Sequence, residues 1–306
     1  MEVNDGFLVL NKSKNCTSHD CVKKIKKILN IKKVGHTGTL DPQVTGVLPL
    51  ALGSATRFIQ YLPQGKSYIG IIQLGIKTTT DDIHGEIIKQ KDVPKLTFDD
   101  LDNSLNSFRG TFQQIPPQVS SVHVNGERAY KKSWRKENFI LPSKEVKVES
   151  LILKDWDVAN GQLRIEINCS SGTYIRSIAR DLGNLLKSEG CLYDLRRIRA
   201  SGFSEDESID LEHLIKKQNF ADKLIIPIAK ALDHMPKIQL TSELDILFWR
   251  TGRKIEITSN NIIKNYNHFE KQKFLVFDNE YQLLGIGIYA HEDFHLLIPK
   301  LVINAL

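Results

Sequence analysis

The first regular hydrophobic pattern along the chain predicts a helix over residues 17–30. Three apolar residues recur at the spacing of one helical face: Val22, Ile25 and Ile28. Lysines fill the other face, and Thr17 or Ser18 can cap the N-terminus. The lysine face is compatible with two interpretations, a surface that binds phosphate groups or simply a solvated helix face.

A strand, a turn and a second helix are predicted in the middle of the chain. The strand is indicated by alternating apolar residues: Leu163, Ile165, Ile167 and Cys169. Residues 170–172 form the turn, and the helix after it is expected to bury one face: Ile175, Ile178, Ala179, Leu182 and Leu185. Arg176 and Arg180 lie one turn apart on a neighbouring stripe. This order places Tyr174 and Arg176 at a helix N-terminus.

Further strands are predicted before and after this unit. Residues 68–78 are rich in β-forming residues and are read as one strand. Beyond residue 236 four short strands are expected, at 253–257, 273–278, 282–289 and 294–299. Several short strands in so little chain favour a small barrel-like module. We therefore divide the chain into a large domain, residues 1–236, and a small one, residues 237–306.

The segment 34–49, VGHTGTLDPQVTGVLP, interrupts the regular patterns. Its three glycines and two prolines favour a tight, buried loop over a regular element. Loops of this kind often carry function. Its glycines match neither of the Gly-rich nucleotide-binding patterns, and no group of His, Cys and Glu has metal-ligand spacing. The sequence therefore predicts no cofactor and no metal.

Composition adds limits on the class of protein. With 306 residues, 41% of them hydrophobic and 25% charged, the chain resembles an ordinary globular protein and has no tract long enough to cross a bilayer. The four cysteines form neither a CxxC pair nor a disulfide framework. The N-terminus lacks the basic start and long apolar stretch of a secretion signal. We expect a cytoplasmic protein.

The charge is unevenly distributed along the chain. The net charge of +6 weakly favours a polyanionic partner. Between Cys21 and Thr80 there are nine bases but one acid, Asp41. A basic neighbour such as Arg176 would keep this carboxylate ionised and able to act as a nucleophile or base. On local sequence alone, Asp41 could equally be a loop residue that caps a turn before a proline.

A second basic segment, residues 118–142, combines lysines and arginines with Tyr130 and Trp134. Such a mixture could follow a nucleic-acid backbone and stack on bases, although a basic surface hairpin explains it as well.

Several of these segments together resemble the TruB-type pseudouridine synthases. GHTGTLDP over residues 35–42, continued by TGVLP over 45–49, is similar to the long catalytic motif of that family. Further similar segments follow in the family's order: Lys12 in LNKSKNCTSHD, KSY at 66–68, PP at 116–117 ahead of GERAY at 126–130, SGTYIRSIARDLG at 171–183 and LRR at 195–197. The resemblance covers about residues 6–203 and, more weakly, the C-terminal strands.

The resemblance implies an α+β fold with a mixed, largely antiparallel sheet flanked by helices, and a PUA-like C-terminal module. It implies that uridine 55 in the T-loop of tRNA is isomerised without a cofactor, after its base is flipped out of the stack. Asp41 would be the catalytic carboxylate and Arg176 its partner, while Tyr68 would stack on the base and could accept a proton. The remaining substrate-binding residues would be His36, Tyr174, Leu195 and Lys12. The basic segment 118–142 would close over the T-arm.

The chain departs from the family pattern at several positions. Ser13 and Asn15 replace the usual Pro and Gly near the start, Val44 replaces an alanine, and Thr79 and His84 stand where acids are common. Residues 133–137 lack the usual Ala-Arg-x-Gly. These changes affect the expected affinity for the tRNA arm more than the chemistry.

Three other functions compete with that of a stand-alone, monomeric enzyme that acts on tRNA without guide RNA. A non-catalytic tRNA-binding or folding factor would keep the scaffold but release no proton from C5. A uridine C5 methyltransferase would need a cofactor loop and a cysteine nucleophile in context, and the sequence offers neither. A guide-RNA-dependent relative would share the catalytic motif but need additional RNA.

Overall fold

The computed structural model describes residues 5–216, 223–257, 272–291 and 295–305. Within these ranges the strands are β1 (Gly6–Lys12), β2 (Val34–His36), β3 (Thr45–Leu52), β4 (Lys66–Leu74), β5 (Ile76–Thr78), β6 (Ile87–Gln90), β7 (Gly110–Gln114), β8 (His123–Val124), β9 (Glu127–Arg128), β10 (Lys144–Asp157), β11 (Gln162–Cys169), β12 (Gly190–Ala200), β13 (Phe203–Ser204), β14 (Ile209–Asp210), β15 (Ile226–Pro227), β16 (Lys237–Gln239), β17 (Ile255–Glu256), β18 (Lys273–Phe277), β19 (Leu283–His291) and β20 (His295–Val302). The α-helices are α1 (Ser18–Leu29), α2 (Phe98–Leu105), α3 (Ala129–Trp134), α4 (Ile175–Leu185), α5 (Leu211–Lys216), α6 (Ile228–Ala231) and α7 (Glu243–Arg250). None of these helices is both long and apolar enough to span a membrane.

The large sheet is mixed and mostly antiparallel. Its described part has eleven strands, eight of them in the order β14-β1-β3-β12-β4-β11-β10-β7. The pairs β1 with β14 and β3 with β12 are parallel, and the other neighbours along this path are antiparallel. The predicted α+β class with a mixed, largely antiparallel sheet is therefore confirmed.

Apolar side chains cover both faces of this sheet around β1 and β3. Successive residues of β1 alternate between the faces, as the two-residue period of a strand requires. Leu8 and Leu10 belong to the cluster that includes the buried sides of α1, α2 and α4. Phe7 and Val9 belong to a second cluster, which includes residues of the C-terminal strands. Strand β1 is thus buried on both sides.

The C-terminal strands form a second sheet in the order β16-β18-β19-β20-β17. Leu275 and Phe277 of β18 face the large sheet and join the cluster around Phe7. Phe274 and Val276, on the opposite side of β18, pack around Trp249 in a separate core. The small sheet therefore packs directly against the large one. The division of the chain between residues 236 and 237 remains a prediction.

The helix and strand predicted from strong periodicity are confirmed. Thr17 caps α1 in a capping box with Asp20, whose backbone N–H donates to the Thr17 hydroxyl at 3.0 Å. The four alternating apolar residues of β11 are all buried. Helix α4 begins directly after Tyr174, as predicted. The exception is Leu185, which is 50% exposed because it lies in the last turn of α4, beyond the sheet-facing part.

Two predictions about the N-terminal half were wrong. The segment 34–49 is not one loop, because its ends form β2 and β3, which pair with each other, and only residues 37–44 lie outside strands. Burial between neighbouring strands outweighs the local effect of glycine and proline here. The single strand expected at 68–78 is broken at Gly75, where a φ of 86° turns the chain so that β5 pairs with β6.

The four predicted C-terminal strands correspond to β17, β18, β19 and β20 with shifted ends. The predicted start of the last of them, residue 294, lies outside the described residues. Strand β16 was not predicted, because three residues are too short to give a periodic signal.

Leu275→Ala should destabilise the protein by about 2–5 kcal/mol, because it leaves a cavity where the two sheets meet. Urea unfolding followed by far-ultraviolet circular dichroism measures this change. Val158→Ala, at an exposed position, is the control and should shift stability by less than about 0.5 kcal/mol. Equal stability of the two variants would contradict the described packing of the C-terminal sheet.

Candidate active site

Asp41 lies in the short loop between β2 and β3, and buried groups hold the residues on both sides of it. The Ser18 hydroxyl donates to the carbonyl of Leu40 at 3.1 Å and accepts from its N–H at 2.8 Å. The Lys12 ammonium donates to the carbonyl of Pro42 at 3.1 Å. The backbone immediately before and after Asp41 is therefore fixed by hydrogen bonds.

Arg197 of β12 holds the start of the same loop. Its fully buried guanidinium donates to the carbonyls of Gly38 at 3.1 Å, Thr39 at 3.3 Å and Val47 at 2.8 Å. Strand β12 comes very close to β3 here: a Cβ atom on Gly46 would lie 2.1 Å from the Arg197 carbonyl oxygen, and Gly46 has a φ of 102°. Only glycine fits at this position.

The carboxylate of Asp41 is paired with Arg176 at the start of α4. Asp41 Oδ2 lies 2.9 Å from Arg176 Nη2, and the guanidinium also donates to the carbonyls of Thr80 and Val119, both at 3.0 Å. Asp82 approaches the same guanidinium at 3.6 Å. Arg176 is buried while the Asp41 side chain is about half exposed, so the arginine is held in place and the carboxylate faces open space.

That space is a cleft of about 930 Å³. Its lining includes six of the seven residues that the sequence analysis assigned to the site: His36, Asp41, Tyr68, Tyr174, Arg176 and Leu195. A smaller adjoining pocket of about 280 Å³ shares Asp41 and Arg176 and is bordered by Asp82. Tyr68 and Leu195 lie on the neighbouring strands β4 and β12 and are buried, so the sheet itself forms this part of the cleft wall.

Burial shifts the pKa values of two cleft residues. Desolvation raises the pKa of Tyr68 to about 12, against the opposing effect of the positive charge on Arg197. Desolvation, followed by the nearby charge of Arg197, lowers the pKa of His36. The buried Nδ1 of His36 has no hydrogen-bond partner among the described residues. At neutral pH both side chains are therefore uncharged.

Lys12 is the predicted site residue that does not line the cleft. Its side chain is buried, and its ammonium donates to the carbonyls of Ser13 at 2.9 Å, Cys16 at 2.9 Å and Pro42. It contacts the Asp41 loop from behind, which favours a structural contribution to the site over direct contact with substrate.

Three contributors to the site were not predicted from the sequence. Ser18 was read only as a possible helix cap, and Arg197 was part of a motif without an assigned role. Asp82 was missed because the sequence analysis treated Asp41 as an isolated carboxylate, whereas the turn after β5 brings Asp82 beside Arg176. No spacing rule predicts that approach. In the part of the chain that the structure describes, no group of three or more His, Cys, Asp or Glu side chains could hold a metal ion.

A solved structure shares this fold over nearly the whole chain. One chain of a Cbf5–Nop10–Gar1 complex superposes with a TM-score of 0.72 and 25% sequence identity, over 97% of this chain and 84% of the other. Together with the mixed sheet and the carboxylate–arginine pair at its cleft, this similarity defines the class: the fold is that of the pseudouridine synthases.

Sequence comparison specifies the family. Residues 26–175 match the family described as TruB family pseudouridylate synthase, N-terminal domain. The chain is 57% identical to a protein of Prochlorococcus marinus (strain MIT 9301) named tRNA pseudouridine synthase B, over 100% of both chains. It is 45% identical to a protein of the same name from Synechococcus sp. (strain CC9311), over 98% of both. The chain therefore belongs to the TruB family of pseudouridylate synthases, as the motifs had predicted.

Lys12→Met should reduce stability by roughly 2 kcal/mol or more, because a buried carbonyl that loses its donor costs about 1–3 kcal/mol. We expect kcat to fall while RNA affinity changes less than about threefold, as measured by urea unfolding, turnover and fluorescence anisotropy. Lys14→Met, at a partly exposed lysine of the same segment, is the control. A large loss of affinity with unchanged kcat would instead support direct substrate binding by Lys12.

The imidazole of His36 should titrate below its ordinary value of 6.5. Because the folded pKa is lower than the unfolded one, the folded state binds fewer protons, and stability falls as pH drops from about 6.5 through the folded pKa. Proton NMR of the histidine ring signals, assigned by comparison with His36→Asn, gives the midpoint. A midpoint at or above 6.5 would contradict the described burial.

Proposed function

We propose that this protein isomerises uridine to pseudouridine at position 55 in the T-loop of tRNA. The observation that carries the proposal is the Asp41–Arg176 pair, 2.9 Å apart, in the wall of a cleft that Tyr68 also lines. The name tRNA pseudouridine synthase B, borne by relatives that match over the full length, supports tRNA as the substrate.

The reaction explains why a carboxylate is needed. The bond between N1 of uracil and C1′ of ribose breaks, the uracil turns, and C5 forms the new bond to C1′. The proton that leaves C5 and the proton gained by N1 balance, so neither a redox agent nor a metal is required. A carboxylate assists by attacking C1′, by stabilising positive charge there or by removing the 2′ proton.

The environment of Asp41 is suited to any of these three roles. Arg176 contacts Oδ2, while Oδ1 accepts no hydrogen bond from the described residues. The backbone carbonyls of Thr80 and Val119 fix the guanidinium of Arg176. Arg176 can therefore orient the carboxylate of Asp41 while that carboxylate stays in the wall of the cleft. We assign Asp41 as the catalytic residue and Arg176 as its ionic partner.

Tyr68 and the other cleft residues would receive the extruded base. The Tyr68 ring offers a stacking surface, which offsets part of the few kcal/mol that base flipping costs. Its raised pKa keeps the phenol protonated at rest, so Tyr68 would be able to accept the C5 proton only after its own phenolic proton has left, and the Arg197 charge beside it favours the phenolate formed in that way. Leu195 and Tyr174 would border the base, and His36 would fill the space that the nucleotide leaves.

RNA binding would involve two further parts of the chain. The basic insertion 118–142, which contributes Arg128, Tyr130 and Trp134 to the cleft lining, would close over the T-arm. Residues 237–306 would form a PUA-like module on the same RNA. We propose a cytoplasmic monomer that needs neither guide RNA nor helper proteins.

Asp41→Asn should abolish tritium release from an unmodified T-arm stem-loop that carries 5-tritiated uridine, with a rate loss of at least about 10²-fold. The change keeps the size of the side chain and removes its charge. RNA affinity, measured by anisotropy, should change little. The wild-type protein is assayed beside it without any additive or second RNA.

Each alternative outcome identifies a different function. Tritium release by Asp41→Asn at the wild-type rate would refute the catalytic assignment. Tight binding without release by the wild type would indicate a non-catalytic tRNA-binding factor, and activity only after a guide RNA is added would indicate a guided enzyme.

A further inference from the structure

Trp134 is a large aromatic side chain left open to solvent at the cleft. It is 73% exposed, yet it lines the same cleft as Asp41 and Tyr68. Its ring packs edge-on against Tyr130, one helical turn earlier in α3, with 5.0 Å between ring centroids. An indole in this position exposes apolar area that folding has not buried, so a ligand that covers it would gain hydrophobic and stacking free energy.

The backbone beneath Trp134 is held by a hairpin. The N–H groups of Ala129 and Tyr130 donate to the carbonyls of Val122 at 2.8 Å and Ser120 at 3.0 Å. Ala129 is fully buried. The first turn of α3 is therefore anchored, and the exposed indole is carried on an ordered helix.

Ion pairs tie the end of α3 to the same hairpin. Arg135 bridges Glu127 and Glu137, each at 2.6 Å, and Lys132 contacts Glu137 at 3.1 Å. These pairs compensate the charges of two bases. Three other bases of the same segment, Arg128, Lys131 and Lys136, have no carboxylate partner among the described residues, and Arg128 lines the cleft together with Trp134. An exposed ring on a segment with uncompensated positive charge fits an unpaired nucleobase with its phosphates better than an apolar protein surface.

The positions of the two stacking candidates differ. Tyr68 is 6% exposed within the sheet, whereas Trp134 lies at the open rim of the cleft. The cleft volume of about 930 Å³ falls in the range of sites for ligands much larger than one pyrimidine. A base that stacks on Tyr68 beside Asp41 thus leaves Trp134 free for another.

We propose that Trp134, supported by Tyr130, is a stacking platform for a second unpaired base of the bound RNA, a base other than the uridine that reacts. The proposal rests on the proposed function, because it requires an RNA loop in the cleft. Trp134 acts here as a binding residue and takes no part in the bond-making steps.

Three variants of the full-length protein test this role with the T-arm stem-loop. Trp134→Ala should weaken RNA binding about tenfold, since stacking on one base contributes about that factor or more. Trp134→Phe keeps an aromatic face and should stay within about threefold of wild type. Phe98→Ala removes an exposed ring on α2, outside the cleft lining, and should leave affinity and turnover unchanged.

Intrinsic tryptophan fluorescence tests the platform separately from folding, because quenching of Trp134 by bound RNA requires a folded protein. The other indoles, Trp156 and Trp249, donate to backbone carbonyls and are less exposed, and Trp249 is fully buried. Titration with the stem-loop should quench the wild-type emission, and Trp134→Phe should lose this quenching. A fully paired RNA duplex with the same number of phosphates should bind more weakly and quench little.

The outcomes separate this proposal from the assignment of the reaction. If Trp134→Ala binds the stem-loop as tightly as wild type, or if duplex RNA quenches Trp134 equally, the platform is refuted even when tritium release is normal. If the wild type releases no tritium but the quenching and the tenfold affinity loss are observed, the reaction is refuted and the platform stands.

Discussion

The buried guanidinium of Arg197 is the constraint on which the site depends. It lies under the Asp41 loop and donates to carbonyls at the start of the loop and in β3, so that loop and sheet are held as one unit. Among the described residues no carboxylate pairs with it. A buried cation without a counter-ion is costly, and three charge-assisted hydrogen bonds offset that cost here. The planar fork of arginine presents its N–H donors in a fixed geometry, and here each of its three nitrogens donates to a different carbonyl.

Arg176 uses the same chemistry for a different purpose. Its guanidinium also binds two backbone carbonyls, but it faces Asp41 and Asp82. One arginine therefore fixes the backbone of the loop and the other orients the side chain that the loop presents. Lys12 adds a third buried cation behind the loop, and desolvation lowers its pKa. None of these three buried cations is among the nine bases between Cys21 and Thr80, so the internal supports of the loop come from other segments of the chain.

The sequence predicted the parts of the fold in which one face of an element is buried. The helix α1, the strand β11 and the start of α4 all show a period that burial imposes on the sequence. Strands β2 and β3 were missed because β3 is buried on both faces and has no alternation to detect, and because its glycine and proline favour a loop locally. Glycine is required at position 46 because β12 approaches the backbone closely there. This approach depends on tertiary structure, so local sequence rules do not predict it.

The same holds for the site: the sequence predicts some of its residues, and others depend on tertiary structure. Asp41, Tyr68 and Arg176 could be assigned to one site because the family that the motifs resemble places the matching residues together. The second carboxylate at Arg176 and the inward direction of Lys12 depend on how separate segments meet, and the sequence does not specify this. A lysine in a functional motif was read as a contact to substrate, whereas three carbonyl acceptors make it part of the protein interior.

One side of the cleft is more rigid than the other, and this difference affects how an RNA loop can be opened. The wall at Tyr68 and Leu195 belongs to two paired central strands whose buried residues join the main apolar core, so its geometry exists before any ligand arrives. The rim at Tyr130 and Trp134 belongs to a short helix on a two-stranded hairpin, linked to the protein by few buried side chains. A preformed wall saves the ordering entropy that binding would otherwise cost, whereas a rim with a small core can adjust to the RNA that enters. Under the proposed function, the free energy needed to unstack a uridine can therefore come from contacts at the rim, while the groups in the wall do not have to move.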